Sequence, residues 1–182
     1  MVVSYCKAVK IHEEKSSAYA RLHRKHHDEV HGRFPISDDE FFARLTMEIH
    51  QAGLNWGLIL SKEAALRKAY CDFCIAKVAT FTKPTIDELL HNSDIIRSEA
   101  KIKATIYNAA SILEITKTHS SCRAWLLSYR GSTLAQWTAI LKSKFTFIGQ
   151  EVTKELLTGI GILPGAHHHT CPVGKRIKKI PT

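Results

Sequence analysis

Histidine and cysteine are the side chains whose number and spacing most suggest chemistry in this chain of 182 residues. Seven of the eleven histidines cluster at 23–31 and at 167–169. Imidazole and thiolate both bind transition metals, and imidazole also titrates near neutral pH. The five cysteines are an odd number, and residues 1–12 lack the apolar segment of a signal peptide. We therefore expect free thiols in a reducing compartment rather than a disulfide framework.

Cys71 and Cys74 form a C-x-x-C motif, a spacing found in zinc and redox sites. A lone motif of this kind is a weak indication, and no second pair stands at zinc-finger spacing. We expect both to be ordinary core or surface thiols.

The charge balance favours a polyanionic partner. Lysine and arginine number 26 against 17 aspartates and glutamates, for a net charge of +9. Nucleic acid is the usual partner of such a surface. Part of the excess lies in a basic tail at 172–182, for which the sequence leaves order or disorder open. No apolar stretch reaches 18 residues, so we expect no membrane span.

Helical spacing dominates the rest of the chain, and we predict an all-α fold with one domain over residues 1–171. Ser37 and Glu40 form a capping box before a helix at about 38–50. A second such box at Thr85 and Glu88 is predicted to open a short helix after Pro84. Further helices are predicted at about 56–70, through 102–113, and at 122–129, 134–142 and 151–158. The alternating run at 145–148 is too short to predict a strand.

The helix–turn–helix arrangement at about 85–115 has two interpretations. It fits a helix-hairpin-helix, in which backbone amides and a helix N-terminus hold one phosphate and Arg97 or Lys101 assists. It also fits an ordinary connection between two core helices.

Residues 48–56, Glu-Ile-His-Gln-Ala-Gly-Leu-Asn-Trp, resemble the E-x-x-Q-A-G-L-S-W signature of 3-methyladenine DNA glycosylase I. Segments 94–109 and 145–149, with Gly161, resemble that family's G-I-I-R-x-x-x-K-I-x-A-x-x-x-N-A and G-F-K-F-V-G motifs in the same order. His27-Asp28 with Gly32 resembles its Y-H-D-x-E-W-G, and His167 with Cys171 its terminal H-x-x-x-C. The resemblance spans residues 6 to 171.

The resemblance implies a helical bundle of the helix-hairpin-helix glycosylase type, with a structural zinc joining the two chain ends. The implied ligands are Cys6, His27, His167 and Cys171, a donor set that suits tetrahedral zinc. His26 or His168 remains an alternative ligand, because the C-terminal match needs a one-residue insertion.

The resemblance also implies base excision repair: a monomeric, cytoplasmic enzyme, nucleoid-associated in a bacterium, that removes alkylated bases from double-stranded DNA. Glu48 is the implied catalytic residue, which binds the lesion base and stabilises positive charge on the sugar. The implied pocket residues are Trp56, His23, His26 and His31. The implied DNA-binding residues are Gln51, Gly53, Leu54, Arg97 and Lys101, with Leu54 filling the gap in the base stack. No lysine is marked for Schiff-base chemistry, so we expect no lyase activity.

The chain departs from the family pattern around the pocket. His23 and His26 stand where the family has tyrosines, His31 replaces a tryptophan, and Asp94 replaces a hairpin glycine. Histidines that become cationic near pH 6.5 are expected to repel a cationic base. Two alternatives therefore remain: a catalytically impaired relative that binds DNA or takes a different lesion, and a zinc-bound helical protein unrelated to DNA.

Overall fold

The computed structural model describes residues 5–177, and every regular element within them is helical. The helices are α1 (Tyr5–Glu14), α2 (Ala20–Glu29), α3 (Asp38–Gln51), α4 (Trp56–Ser61), α5 (Glu63–Ala69), α6 (Ile75–Val78), α7 (Lys83–His91), α8 (Glu99–Thr118), α9 (Cys122–Leu127), α10 (Leu134–Lys144), α11 (Gln150–Gly159) and α12 (Pro172–Arg176). A 3₁₀ turn at Cys71–Phe73 precedes α6. The all-helical prediction is thus confirmed for the described part of the chain.

Helix α3 lies at the centre of the fold. Phe41, Phe42, Leu45 and Ile49 on it are almost completely buried. Helices α8 and α11 pack directly against α3, and α6 packs against α8. Burial of this many large apolar side chains supplies the main driving force for folding. The last turn of α3, which carries Glu48, is therefore held from several sides.

The start of α3 follows the sequence prediction in part. The Ser37 hydroxyl accepts a hydrogen bond from the Glu40 amide at 3.1 Å, as an N-cap should. The Glu40 carboxylate, however, accepts from the Ile36 amide at 2.7 Å rather than from that of Ser37. The hydrogen bond is shifted by one residue from the predicted partner, and it still satisfies the Ile36 amide ahead of the helix.

Two other helix predictions need correction. The segment predicted as one helix at about 56–70 is two, because Lys62 ends α4 and precedes α5. The capping box predicted at Thr85 is wrong: α7 begins at Lys83, with Pro84 in its first turn. Proline fits a first turn because it has no amide hydrogen to satisfy there.

Residues 5–29 form two helices, α1 and α2, to which the sequence analysis assigned none. The buried residues of α2 are His23 and His27, where an amphipathic helix normally carries aliphatic side chains. The inward stripe is therefore imidazole, and the apolar pattern that marks most helices is missing. Helix α12 occupies the first part of the predicted basic tail, whereas Lys178 and Lys179 lie outside the described residues.

Candidate functional site

A cavity of about 480 Å³ opens beside the last turn of α3. Helices α1, α2, α3 and α11 and the start of α4 contribute to its wall. The predicted residues Glu48, Trp56, His23, His26, His31 and Gln51 all line it. Segments far apart in the chain thus meet at one concavity large enough for a purine-sized group.

The Glu48 carboxyl group is the most perturbed acid at this cavity. It makes no hydrogen bond with any residue in the described range 5–177. Desolvation by burial, together with the nearby Glu155 carboxylate, raises the pKa of Glu48 from 4.5 to about 8. A desolvated carboxyl group without a hydrogen-bond partner gains free energy when a positively charged or hydrogen-bond-donating ligand binds beside it.

Trp56 is the first residue of α4, and the fold fixes its position closely. The Asn55 side-chain oxygen accepts hydrogen bonds from the Gly57 amide at 2.8 Å and the Leu58 amide at 3.4 Å. Gly57 allows the Tyr19 ring to pack against the helix, since a Cβ atom there would lie 2.6 Å from that ring. The Trp56 ring meets His26 edge to face with centroids 5.2 Å apart.

The three predicted pocket histidines are neutral at physiological pH. Desolvation lowers the pKa of His26 and of His31 to about 3, and that of His23 to about 4. Mutual repulsion among the imidazoles adds to the effect. The expectation of cationic rings near pH 6.5 is therefore wrong, because that value applies to a hydrated imidazole.

Among the cavity-lining residues that the sequence analysis did not predict, two carry rings that contact His23. The Tyr5 hydroxyl lies 3.0 Å from His23 Nδ1, and the His12 ring stacks on His23 with centroids 4.0 Å apart. Both stand on α1, in the N-terminal segment to which the sequence analysis assigned no helix. The available clue was the position of Tyr5 directly before Cys6, a residue that the family resemblance already joined to α2.

The loop after α3 makes a tight turn around Gly53. Gly53 has φ of +78°, a left-handed conformation that glycine adopts without strain. The Leu54 amide donates to the Gln51 carbonyl at 2.7 Å, and the Gln51 side chain donates to the Leu54 carbonyl at 3.2 Å. Leu54 consequently projects from the turn with a partly exposed side chain.

Lys101 does not reach the surface at which sequence analysis placed it. Its side chain is buried, and Nζ donates to the carbonyls of His50 at 2.8 Å and Ala52 at 2.7 Å. These carbonyls belong to the end of α3, where helix carbonyls lack partners and attract cations. Lys101 therefore holds the 51–54 loop in place, and a direct phosphate contact is not what its geometry supports.

The connection between α7 and α8 keeps Arg97 at the surface. Arg97 is exposed and has no ion pair among residues 5–177. The Asn92 side chain accepts from the Asp94 amide at 2.9 Å, and Lys62 Nζ donates to the Asp94 carbonyl at 2.8 Å. Lys62 thereby places a cation beside the acid that replaces the family's hairpin glycine.

A cluster of four nitrogen and sulfur atoms, all within 4.8 Å of one another, is formed by the side chains of Cys6, His27, His167 and Cys171. His27 Nε2 lies 3.3 Å from Cys6 Sγ and 3.2 Å from His167 Nδ1. Cys171 Sγ lies 3.7 Å from His27 Nε2 and 3.6 Å from His167 Nδ1. The cluster joins α1, α2 and the segment before α12.

Neighbouring oxygen atoms orient the two imidazoles of the cluster. His27 Nδ1 lies 2.6 Å from an Asp28 carboxylate oxygen, and His167 Nε2 lies 2.9 Å from the His31 carbonyl. Of the alternative ligands, His26 faces the cavity instead, and His168 Nδ1 lies 2.7 Å from the Thr170 hydroxyl. The motif cysteines Cys71 and Cys74 stay outside the cluster.

Within residues 5–177 no helix is both long and apolar enough to cross a membrane.

Residues 16–144 match the profile of the family described as methyladenine glycosylase. The DNA-3-methyladenine glycosylase of Haemophilus influenzae is 26% identical, over 81% of this chain and 89% of the relative. The DNA-3-methyladenine glycosylase 1 of Escherichia coli is 31% identical over 52% of this chain and 50% of the relative.

Solved structures agree with these relatives. A variant of 3-methyladenine DNA glycosylase I crystallised with 3-methyladenine superposes with a TM-score of 0.78 and 28% identity, covering 84% of this chain and 91% of the other. The Staphylococcus aureus 3-methyladenine DNA glycosylase I gives 0.77 and 27%, covering 84% and 90%. Since the family profile matches well over half of the sequence, this chain belongs to the methyladenine glycosylase family.

Proposed function

We propose that this protein is a DNA repair glycosylase that hydrolyses the N-glycosidic bond of alkylated bases, such as 3-methyladenine, in double-stranded DNA. The observation that carries the proposal is Glu48, a desolvated carboxyl without a hydrogen-bond partner among the described residues, beside Trp56 in a purine-sized cavity. Relatives that carry the glycosylase name, and a solved neighbour in complex with 3-methyladenine, support it.

The enzyme must rotate the damaged nucleotide out of the duplex, because a stacked base cannot reach the cavity. Leu54 projects from a turn immediately after the helix that carries Glu48, which suits it to fill the vacated position. Helices α7 and α8 with their connection provide a helix-hairpin-helix whose amides bind a phosphate, with Arg97 close by. All these groups come from one chain, so we propose that the protein acts as a monomer. We also propose that it acts on cytoplasmic DNA, which in a bacterium is the nucleoid.

Glu48 binds the lesion base through a change of its own protonation. A cationic alkylated purine in the cavity offsets the desolvation that keeps the free carboxyl protonated, so the proton leaves and a carboxylate forms. That carboxylate accepts hydrogen bonds from the base and stabilises the positive charge that develops on the sugar. Water then attacks the sugar, and the free base and an abasic site result.

The neutral imidazoles fit a cationic ligand better than charged ones would. His23, His26 and His31 present rings to the cavity without adding positive charge. Lys154 also lines the cavity, but its ammonium lies 3.6 Å from Glu155 and 3.9 Å from Glu151. A lysine paired with two carboxylates is a poor nucleophile, so the proposed enzyme is monofunctional, without lyase activity.

We further propose that the Cys6, His27, His167 and Cys171 cluster binds structural zinc. In a tetrahedron with the usual zinc bond lengths, two nitrogens stand about 3.3 Å apart and a nitrogen and a sulfur about 3.6 Å apart. The nitrogen–nitrogen distance here is 3.2 Å, and nitrogen–sulfur distances range from 3.3 to 3.7 Å. The partners of His27 and His167 also match the oriented second ligand shell of zinc sites.

The deciding experiment measures release of free base from methylated duplex DNA by the protein and by its Glu48→Gln variant. We expect release of 3-methyladenine by the unmodified protein and loss of at least about 100-fold in the variant, consistent with removing a charge that stabilises the transition state. Exposed Glu151 on the cavity rim provides the matched control, and Glu151→Gln should retain most activity. Duplex binding without base release would instead support the impaired, DNA-binding alternative.

A further inference from the structure

Phe147 is an exposed aromatic side chain for which the proposed chemistry has no use. It lies in the segment between α10 and α11, and 39% of it is exposed. Its φ is +61°, a left-handed backbone that is unfavourable for a bulky residue. With 39% of the side chain exposed, burial of the ring compensates that cost only in part.

The segment around Phe147 is rigidly anchored. The buried Asn108 side chain on α8 donates to the Thr146 carbonyl at 3.2 Å and accepts from the Thr146 amide at 2.9 Å. Phe145 and Ile148, on either side, are buried. The Phe147 ring is therefore held outward by a fixed support and does not belong to a loose loop.

The ring lies beside the loop that carries Leu54. Lys101 Nζ stands 6.0 Å from the centre of the Phe147 ring, and the same atom donates to the Ala52 carbonyl at 2.7 Å. Leu54, two residues further on, is 37% exposed. The Lys101 ammonium thus joins the Phe147 ring to the loop that ends in Leu54, which places two protruding apolar side chains in the same region of the surface.

The nearby charges suit a nucleic acid. Lys142 and Lys144, at the end of α10, are exposed and have no ion pair with any residue between 5 and 177. An aromatic ring that projects between cations is how proteins hold unstacked bases next to a phosphate backbone. A protein partner with an apolar surface would leave these cations unpaired.

We propose that Phe147 is a second DNA-contacting wedge, which stacks on the base left without a partner opposite the extruded nucleotide. Leu54 occupies the vacated position on the damaged strand, and Phe147 covers the orphaned base on the other strand. This inference rests on the proposed function, because it requires a duplex opened at one nucleotide. It makes Phe147 a positioning residue, since the ring never reaches the reacting bond.

The test measures affinity for a duplex that contains a tetrahydrofuran abasic-site analogue with 2-aminopurine opposite it. Phe147→Ala should bind about 5- to 100-fold more weakly, the range for loss of one base–aromatic stack. The 2-aminopurine in the bound complex should become brighter because its stacking partner is gone. Phe147→Tyr should restore both readouts. Free 3-methyladenine should bind Phe147→Ala as it binds the unmodified protein, since the ring lies outside the cavity lining.

Leu113 provides the matched control, because it is also an exposed apolar side chain, 37% accessible, on α8. It stands about 18 Å along that helix from Lys101 and on a different face. Leu113→Ala should leave duplex affinity unchanged, and thermal unfolding should show all variants folded.

Unchanged affinity or unchanged 2-aminopurine emission in Phe147→Ala would overturn the proposal. A shift in oligomeric state with unchanged duplex affinity would do the same, and would identify this face as a protein contact. Because abasic-duplex binding needs no chemistry, it still decides the role of Phe147 if the unmodified protein releases no base.

Discussion

The proton affinity of Glu48 makes protein stability depend on pH in a way that one substitution removes. The carboxyl has a pKa of about 8 in the folded protein, against 4.5 for an ordinary glutamate. The folded state therefore holds its proton more tightly than the unfolded chain does. Glu48 contributes full stability below about pH 4.5, loses it progressively as pH rises towards 8, and changes nothing further above 8.

The magnitude follows from the separation of the two pKa values. One pKa unit corresponds to 1.36 kcal/mol, so a carboxyl fully shielded from water would lower the free energy of unfolding by about 5 kcal/mol between pH 4.5 and pH 8. Because the carboxyl also borders the open cavity, we expect an observed loss of about 2–4 kcal/mol. Glu48→Gln keeps the size and polarity of the side chain but cannot ionise, so it should not show this loss.

The assay is denaturant unfolding of both proteins from about pH 5 to about pH 9.5, with the same metal content in each. At the acid end the two should be similarly stable, and above pH 8 Glu48→Gln should be the more stable by the amount above. His26 and His31 face Glu48, but with pKa values of about 3 they do not titrate in this range.

Two controls sharpen the result. Glu155→Gln removes the second cause of the raised pKa, so the decline in stability should end at a lower pH and its total size should be smaller. The exposed Glu151 should show no such effect when changed to glutamine. A stability difference between the unmodified protein and Glu48→Gln that is constant across the pH range would refute desolvation as the origin of the perturbed carboxyl.

Three other predictions concern the supports of the site. Lys101→Met removes the cation that binds two carbonyls at the end of α3, so base release should fall at least about fivefold while binding of the free base is kept. An equal loss of base release and of free-base binding would contradict a loop-positioning role. Cys171→Ser should reduce zinc content, measured by mass spectrometry, and lower the thermal midpoint; a metal-loaded variant of unchanged stability would argue against the structural site. Gly57→Ala places a Cβ atom 2.6 Å from the Tyr19 ring and should destabilise the protein by about 1–3 kcal/mol in denaturant unfolding, whereas no change would show that α4 can move away.

Local sequence determined much of the helical framework. The start of α3 follows from a capping serine, and its extent follows from apolar side chains at helical spacing. The family resemblance, carried by order and spacing along the chain, selected Glu48 and Trp56 for the cavity and the four metal-ligand candidates. The structure places Glu48 and Trp56 at one cavity, and it places the four metal-ligand candidates in one cluster. Such features are readable because each depends on neighbours within a few residues or on a motif kept in order.

Only the tertiary structure decided how those residues behave. Lys101 is a positively charged residue on a helix, and its sequence context cannot show that the end of α3 lies against it. The histidines of the cavity read as titrating groups, yet burial among other imidazoles keeps them neutral. Phe147 belongs to a short alternating run in the sequence, and only the structure shows that two Asn108–Thr146 hydrogen bonds anchor this segment with the ring partly exposed. Desolvation, packing against distant segments and the direction of a side chain all depend on residues far away in the chain, and that is why the sequence alone does not contain them in readable form.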